Sequence, residues 1–372
     1  MVTALLVIGI LVLLIVAHEL GHFIAAKIFG VRVKEFGVGY QPRAFTFGKV
    51  GDTEYTLNWI PFGGFVRLFG DVGQEEHGEG SFVDSNRAVQ ALILIAGVTA
   101  NAIAGWALYT GALHAGIPRV IESAQPGETT RLIVANVLSG SPAETGGIAP
   151  GDEILSVSDE FGAAPHEQTP RAVSDFIAER GGKPLTVQVL PAGRKLGAGG
   201  HERATTTATL IPAHAVIDRA GRPALGIAVV LVTSHPLPWS DAASEAFTAT
   251  KNTFVLTAKG LGSIVALALR GEGDLSMITG PVGLVGSVRE AALAGVGEVL
   301  QLAAFISINL AIINLIPIPA LDGGRLFVLG IEAALRRPAP PLALHALNTL
   351  GIALIIFLMV AVTYNDILRL LG

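Results

Sequence analysis

The sequence predicts a polytopic α-helical membrane protein of about four spans, with a membrane-associated β-region and an inserted α/β domain. Three observations carry that prediction. Hydrophobic residues make up 51% of the 372 residues and charged residues only 15%, with a mean hydropathy of +0.58. Four stretches are long and apolar enough to cross a bilayer. Between the second and third of them, from about Val120 to Val232, the composition becomes that of a soluble α/β domain. The net charge of -5 is spread thinly and forms no basic stripe, so no nucleic-acid partner is expected. Cysteine is absent, which excludes disulfides, thiolate ligands and a cysteine nucleophile. Any metal site must be built from histidine and carboxylate.

Residues 1–30 read as the first transmembrane helix, apolar from Val2 to about Ile28. No positive n-region precedes it and no small-residue cleavage site follows, so it is expected to remain as a span. Inside it lies His18-Glu19-Leu20-Gly21-His22. Two histidines four apart on a helix project from one face and can grip one metal ion, with the glutamate close enough to take a proton from water there. Chance alone produces such a pattern in roughly one or two chains per hundred of this composition, so the location carries the argument. A charged group at membrane depth costs about 2.5–3.5 kcal/mol and calls for a functional reason. The competing possibility is an incidental polar cluster.

Residues 31–86 read as a β-region on the cytoplasmic side of the membrane. Ala44–Phe47 and Tyr55–Trp59 alternate around Gly48–Asp52 as a hairpin, flanked by glycines and aromatics at Phe36–Tyr40 and Phe62–Phe65. A plain cytoplasmic sheet competes with a sheet dipping into the membrane, where an exposed edge along 44–47 or 55–59 would take an unwound peptide by strand addition. Residues 87–118 form the second transmembrane helix, with Gly97, Asn101, Ala104 and Gly105 spaced for close packing and Asn101 expected as an interhelical hydrogen-bond donor. Residues 119–235 form the inserted domain, with strands at Arg131–Val137, Leu185–Leu190 and Ala208–Ile211 and a helix over Arg171–Arg180. Residues 236–295 are expected as an amphipathic, interfacial segment, helical over Asp241–Leu269 and broken at Thr279–Gly283. Residues 296–372 hold the third and fourth transmembrane helices. His114 and His345 lack partners at ligand spacing and read as packing residues.

Loop charges set the orientation. Lys27, Arg32, Lys34, Arg43, Lys49, Arg67 and Arg87 lie between spans one and two, and Arg325, Arg336 and Arg337 between spans three and four. The positive-inside rule makes both loops cytoplasmic and puts the inserted domain and the termini on the other side. Spans one and three then run parallel, which tells where a third ligand should lie. Asp322 precedes Arg325 much as His18 and His22 precede Lys27, so the two groups fall at similar depth near the cytoplasmic face. Pro317 and Pro319 end the helix before Asp322, and Gly323 and Gly324 allow close backbone approach. The alternative is an ordinary helix end with Asp322 as its cap.

His18-Glu19-x-x-His22 late in span one, with Asn314-x-x-Pro317-x-Pro319-x-Leu321-Asp322-Gly323-Gly324 late in span three, resembles the site-2 protease family of intramembrane zinc metalloproteases. The regulator-of-sigma-E protease branch with one PDZ domain is the nearest pattern, and the resemblance covers almost the whole chain. It implies Zn2+ held by His18, His22 and Asp322, Glu19 as catalytic base, and Asn314 in contact with substrate. It further implies hydrolysis of a peptide bond within or near transmembrane segments of single-span proteins, as in regulated proteolysis of anti-sigma factors or signal-peptide remnants. The place implied is the bacterial cytoplasmic membrane, multi-pass, with the active site near the cytoplasmic face. Val98 stands where the family often has proline after glycine. The run Gly140-Ser141-Pro142-Ala143 to Gly147-Ile148-Ala149-Pro150-Gly151-Asp152 resembles a PDZ domain on the extracytoplasmic side, implying capture of a peptide or substrate ectodomain, with a spacer or size-exclusion role equally compatible. Two other classes stay open: a CAAX-type membrane zinc protease acting on lipidated proteins, and a non-catalytic scaffold displaying a PDZ domain.

Overall fold

A computed structural model describes residues 2–71, 76–124, 127–192, 205–214, 221–271, 280–337 and 339–371; the expected break at Thr279 itself lies outside them. The chain divides into two compact units, Met1–Ala115 with Leu237–Gly372, and Gly116–Pro236.

In the first unit, four helices are long and apolar enough to cross a membrane: Val2–Ile28 in α1, Arg87–Ala115 as α2, Val296–Leu315 as α7 and Leu342–Arg369 within α9 (Pro341–Leu371). Small residues let their backbones meet. A Cβ on Gly21 of α1 would lie 2.3 Å from the Ala96 carbonyl oxygen of α2, and one on Gly105 would lie 2.7 Å from Ile308 of α7. Ser307 Oγ donates to the Asn101 carbonyl at 2.8 Å, tying α2 to α7 at the level of Asn101. The expected interfacial helix is α5 (Trp239–Leu269), and it packs along α2: Trp106 Nε1 donates to the Ala243 carbonyl at 2.9 Å and the Tyr109 and Thr253 hydroxyls are 3.1 Å apart. The short helix α6 (Pro281–Ala294) has no capping side chain of its own at Gly280. Asp366 of α9 supplies one, accepting from the Gly280 and Gly283 amides at 3.1 and 2.8 Å.

Between α1 and α2, β1 (Val33–Val50) and β2 (Thr53–Leu68) pair antiparallel, and each folds back to contribute two rows. Residues 35–38 pair with 54–57 on one side and with 64–67 on the other; 43–50 pair with the far side of 53–58. The row 54–57 is therefore interior, which removes it as the exposed edge expected from its alternation. The edges are 43–50 and 64–68. Buried Glu35 pins the rows together, accepting from Arg43 and Thr56 at 2.9 and 2.8 Å and pairing with Arg67 at 2.9 Å.

The second unit is an antiparallel sheet in the order β3 (Arg119–Ile121), β8 (Ile227–Thr233), β4 (Thr130–Val137), β5 (Glu153–Asp159), β6 (Leu185–Leu190), β7 (Thr206–Leu210). The last strand inserts between the first two. Helices α3 (Pro142–Thr145) and α4 (Pro170–Ala178) start on side-chain caps: Ser141 and Thr169 accept from the amides three residues on, each with proline at the first helical position. Val134, Leu185, Val187 and Leu225 form a core with Val173 and Phe176 of α4. Leu185 is fully buried, so Leu185→Ala is expected to destabilise this unit by about 2–5 kcal/mol. Pulse proteolysis of the whole chain in rising urea checks it, the fragment from this unit disappearing at lower denaturant than in the wild type.

Candidate metal centre

The site begins with the helical spacing of α1, which stacks His18 and His22 one turn apart on the face turned toward α2. Their rings meet edge to face with centroids 4.7 Å apart. Close contact with α2 depends on Gly97: a Cβ there would lie 2.4 Å from His22 Nε2 and 2.8 Å from His18 Cε1. His22 Nδ1 lies 2.8 Å from the Ile93 carbonyl, an acceptor only, so this nitrogen carries the proton and Nε2 presents its lone pair. Asn101 places its amide nitrogen 3.3 Å from His18 Nδ1. The interhelical partner expected for Asn101 is thus His18 of α1.

Asp322 arrives from the turn between α7 and α8 (Asp322–Leu335). The chain doubles back through Pro317 and Pro319, Ala320 takes a left-handed φ of 75°, and the glycines fill a space that admits no side chain. A Cβ on Gly323 or Gly324 would lie 2.3 Å from the Ile316 carbonyl oxygen or 2.2 Å from that of Ile318. Asp322 sits at the first helical position with no side-chain cap bond recorded for this helix. Its carboxylate turns to the histidines, which sets the simple cap reading aside. Arg325, one turn on, pairs with Asp71 and holds α8 to the loop after β2.

The result is a triangle. His18 Nε2 and Asp322 Oδ2 are 2.9 Å apart, His22 Nε2 and Asp322 Oδ2 3.1 Å, and the two Nε2 atoms 3.1 Å. Donor atoms each about 2.0–2.1 Å from a tetrahedral ion stand roughly 3.3 Å from one another, so the triangle has the size a zinc ion needs. Two nitrogen lone pairs and a carboxylate this close repel unless a cation lies between them. Among the described residues, this is the one group of three histidine or acidic side chains close enough to hold a metal.

A cavity of about 410 Å³ opens onto the triangle, lined among others by Glu19, Tyr40, Phe65, Asn101 and Asn314. Glu19 follows His18 on α1 and shares the cavity with Gly64, Phe65 and Val66 of β2. Gly64 keeps that approach open, since a Cβ there would lie 3.3 Å from Glu19 Cγ. Burial raises the Tyr40 hydroxyl above its ordinary pKa, and the nearby Glu19 charge adds to the effect. His114 stacks on Trp239 with centroids 4.0 Å apart and its Nδ1 meets the Leu237 carbonyl, while His345 lies exposed on α9; neither joins the triangle. The steric roles of Gly97 and Gly64 and the carbonyl of Ile93 escaped the sequence reading. An intramembrane Gly-x-x-x-Asn pair was the available signal for the α2 side; nothing local marked the other two. Gly97→Ala is expected to push His22 off the triangle and lower bound metal about tenfold or more, as read by metal content after dialysis against a chelator.

The sequence profile of peptidase family M50 matches residues 6–358. A candidate zinc metalloprotease of Clostridium perfringens is 32% identical over 95% of this chain and 95% of its own length. One of Synechocystis is 31% identical over 99% of this chain and 95% of its own. Zinc metalloprotease RasP of Shouchella clausii is 26% identical over 99% of each. With a match that runs from the first apolar helix into the last, the chain belongs to peptidase family M50, the site-2 protease family of zinc-dependent membrane peptidases.

Proposed function

We propose that this chain is an intramembrane zinc endopeptidase in which His18, His22 and Asp322 hold the metal and Glu19 is the general base. The observation that carries the proposal is the triangle itself, three ligand atoms within 3.1 Å of one another and a glutamate beside them in one cavity. Bound zinc supplies Lewis-acid polarisation and lowers the pKa of water toward about 7. Glu19 takes the proton of the attacking water and returns it to the leaving amide nitrogen. Asn314 lines the same cavity and is assigned to substrate contact.

The substrates proposed are single-span membrane proteins cut within or near their transmembrane segments, including anti-sigma factors and signal-peptide remnants. A helical peptide bond must be unwound before water reaches it, and the β-sheet offers a way to hold the opened segment. Gly64, Phe65, Val66 and Leu68 of the edge row line the cavity together with Glu19. A substrate strand added to this edge would pass Glu19. Charge distribution supports a bacterial cytoplasmic membrane protein with the site near the cytoplasmic face and the second unit outside. That unit, with its sheet and capped helices, is proposed to be a PDZ-like domain receiving a peptide or substrate ectodomain.

Glu19→Gln is expected to lower cleavage of a model single-span substrate by about 10²–10⁴-fold while zinc is retained; equal cleavage by both proteins would rule the mechanism out. Asp322→Ala should lose zinc, and full occupancy in that variant would remove the third ligand. Proline at Thr46, on the edge row away from the cavity, is expected to leave turnover unchanged, and a loss of turnover there would move substrate to that edge.

A further inference from the structure

We infer that Asn101 is a positioning residue for His18: its side-chain oxygen accepts the His18 Nδ1 proton and so fixes the tautomer whose Nε2 can bind metal. The inference rests on the zinc assignment above. His22 shows what the arrangement requires. Its Nδ1–H donates to the Ile93 carbonyl at 2.8 Å, which leaves the Nε2 lone pair aimed into the triangle. The neutral His18 ring also carries one proton. On Nε2 that proton would sit between Asp322 Oδ2 at 2.9 Å and His22 Nε2 at 3.1 Å, in the space of the ion. The proton must therefore lie on Nδ1, and Nδ1 then needs an acceptor.

The group facing Nδ1 is the Asn101 amide at 3.3 Å. Asn101 is 1% exposed, and its Oδ1 is buried without a donor among the described residues. The oxygen and nitrogen of an amide have nearly the same shape, and hydrogen bonding decides which is which. Exchanging them sets the orphaned acceptor against the His18 N–H. The backbone at this residue is held from the other side, because its carbonyl accepts from Ser307 Oγ at 2.8 Å. A residue serving only to glue α2 to its neighbours would be indifferent to metal; one that sets a ligand tautomer would not.

The test uses the full chain in detergent and titrates zinc against a chromophoric chelator. Asn101→Leu, similar in size and lacking an acceptor, is expected to bind zinc about 10- to 100-fold more weakly than wild type. Asn101→Asp, which restores an acceptor, should return affinity close to wild type, and the visible spectrum of the cobalt-loaded aspartate variant should match that of the wild type. Asn101→Ala carries the same comparison should the leucine variant fail to fold. Unchanged zinc affinity in the leucine or alanine variant overturns the assignment, as does an aspartate variant that loses zinc as completely as they do. Wild-type protein that holds no zinc would remove the metal assignment and this inference together, whereas zinc in the wild type with no effect at Asn101 overturns this inference alone.

Discussion

Two imidazole nitrogens and a carboxylate oxygen stand 2.9–3.1 Å apart in a bundle of apolar helices, and most of the nearby structure answers that constraint. Such a cluster is costly in a medium that cannot solvate it, unless a cation completes it and every outward polar atom finds a partner. Both outward histidine nitrogens meet a polar group: Ile93 receives His22, and the Asn101 amide stands against His18. The helices must also come close enough for short side chains to converge. Gly21 and Gly97 remove the atoms that would hold α1 off α2, and Gly323 and Gly324 let the turn after α7 fold onto itself. The left-handed Ala320 stores local strain at the same turn, as functional sites often do.

The β-region extends the same logic toward substrate. A sheet edge has unpaired backbone groups, normally a liability that proteins cover. Here the edge 64–68 runs along the cavity that Glu19 also lines. Glu35 and its two arginines tie the rows together, so the edge presented to the cavity is held by ion pairs.

Much of this was legible because helices in a membrane are written in composition and period. Four apolar stretches announce four helices, and the i, i+4 histidines need only a helix to share a face. Asp322 could be located across some 300 residues because topology restricts it to one depth and one side. Pairing within the sheet was less legible. Tyr55–Trp59 alternates as an edge strand would, but alternation reports which faces differ and is silent on how many neighbours a row has. The inserted unit shows the same gap: β8 (Ile227–Thr233) lies between β3 and β4, a placement that no local pattern encodes.

The sequence by itself therefore determined the four long apolar helices, the family and the shared face of His18 and His22, because residue identity and spacing on a helix decide those directly. It did not determine that Gly97 must be bare, that Asn101 meets His18, or that row 64–68 flanks Glu19. Those depend on contacts between segments far apart in the chain. Only packing to van der Waals distance, where one added carbon would fall 2.4 Å from a ligand nitrogen, decides them.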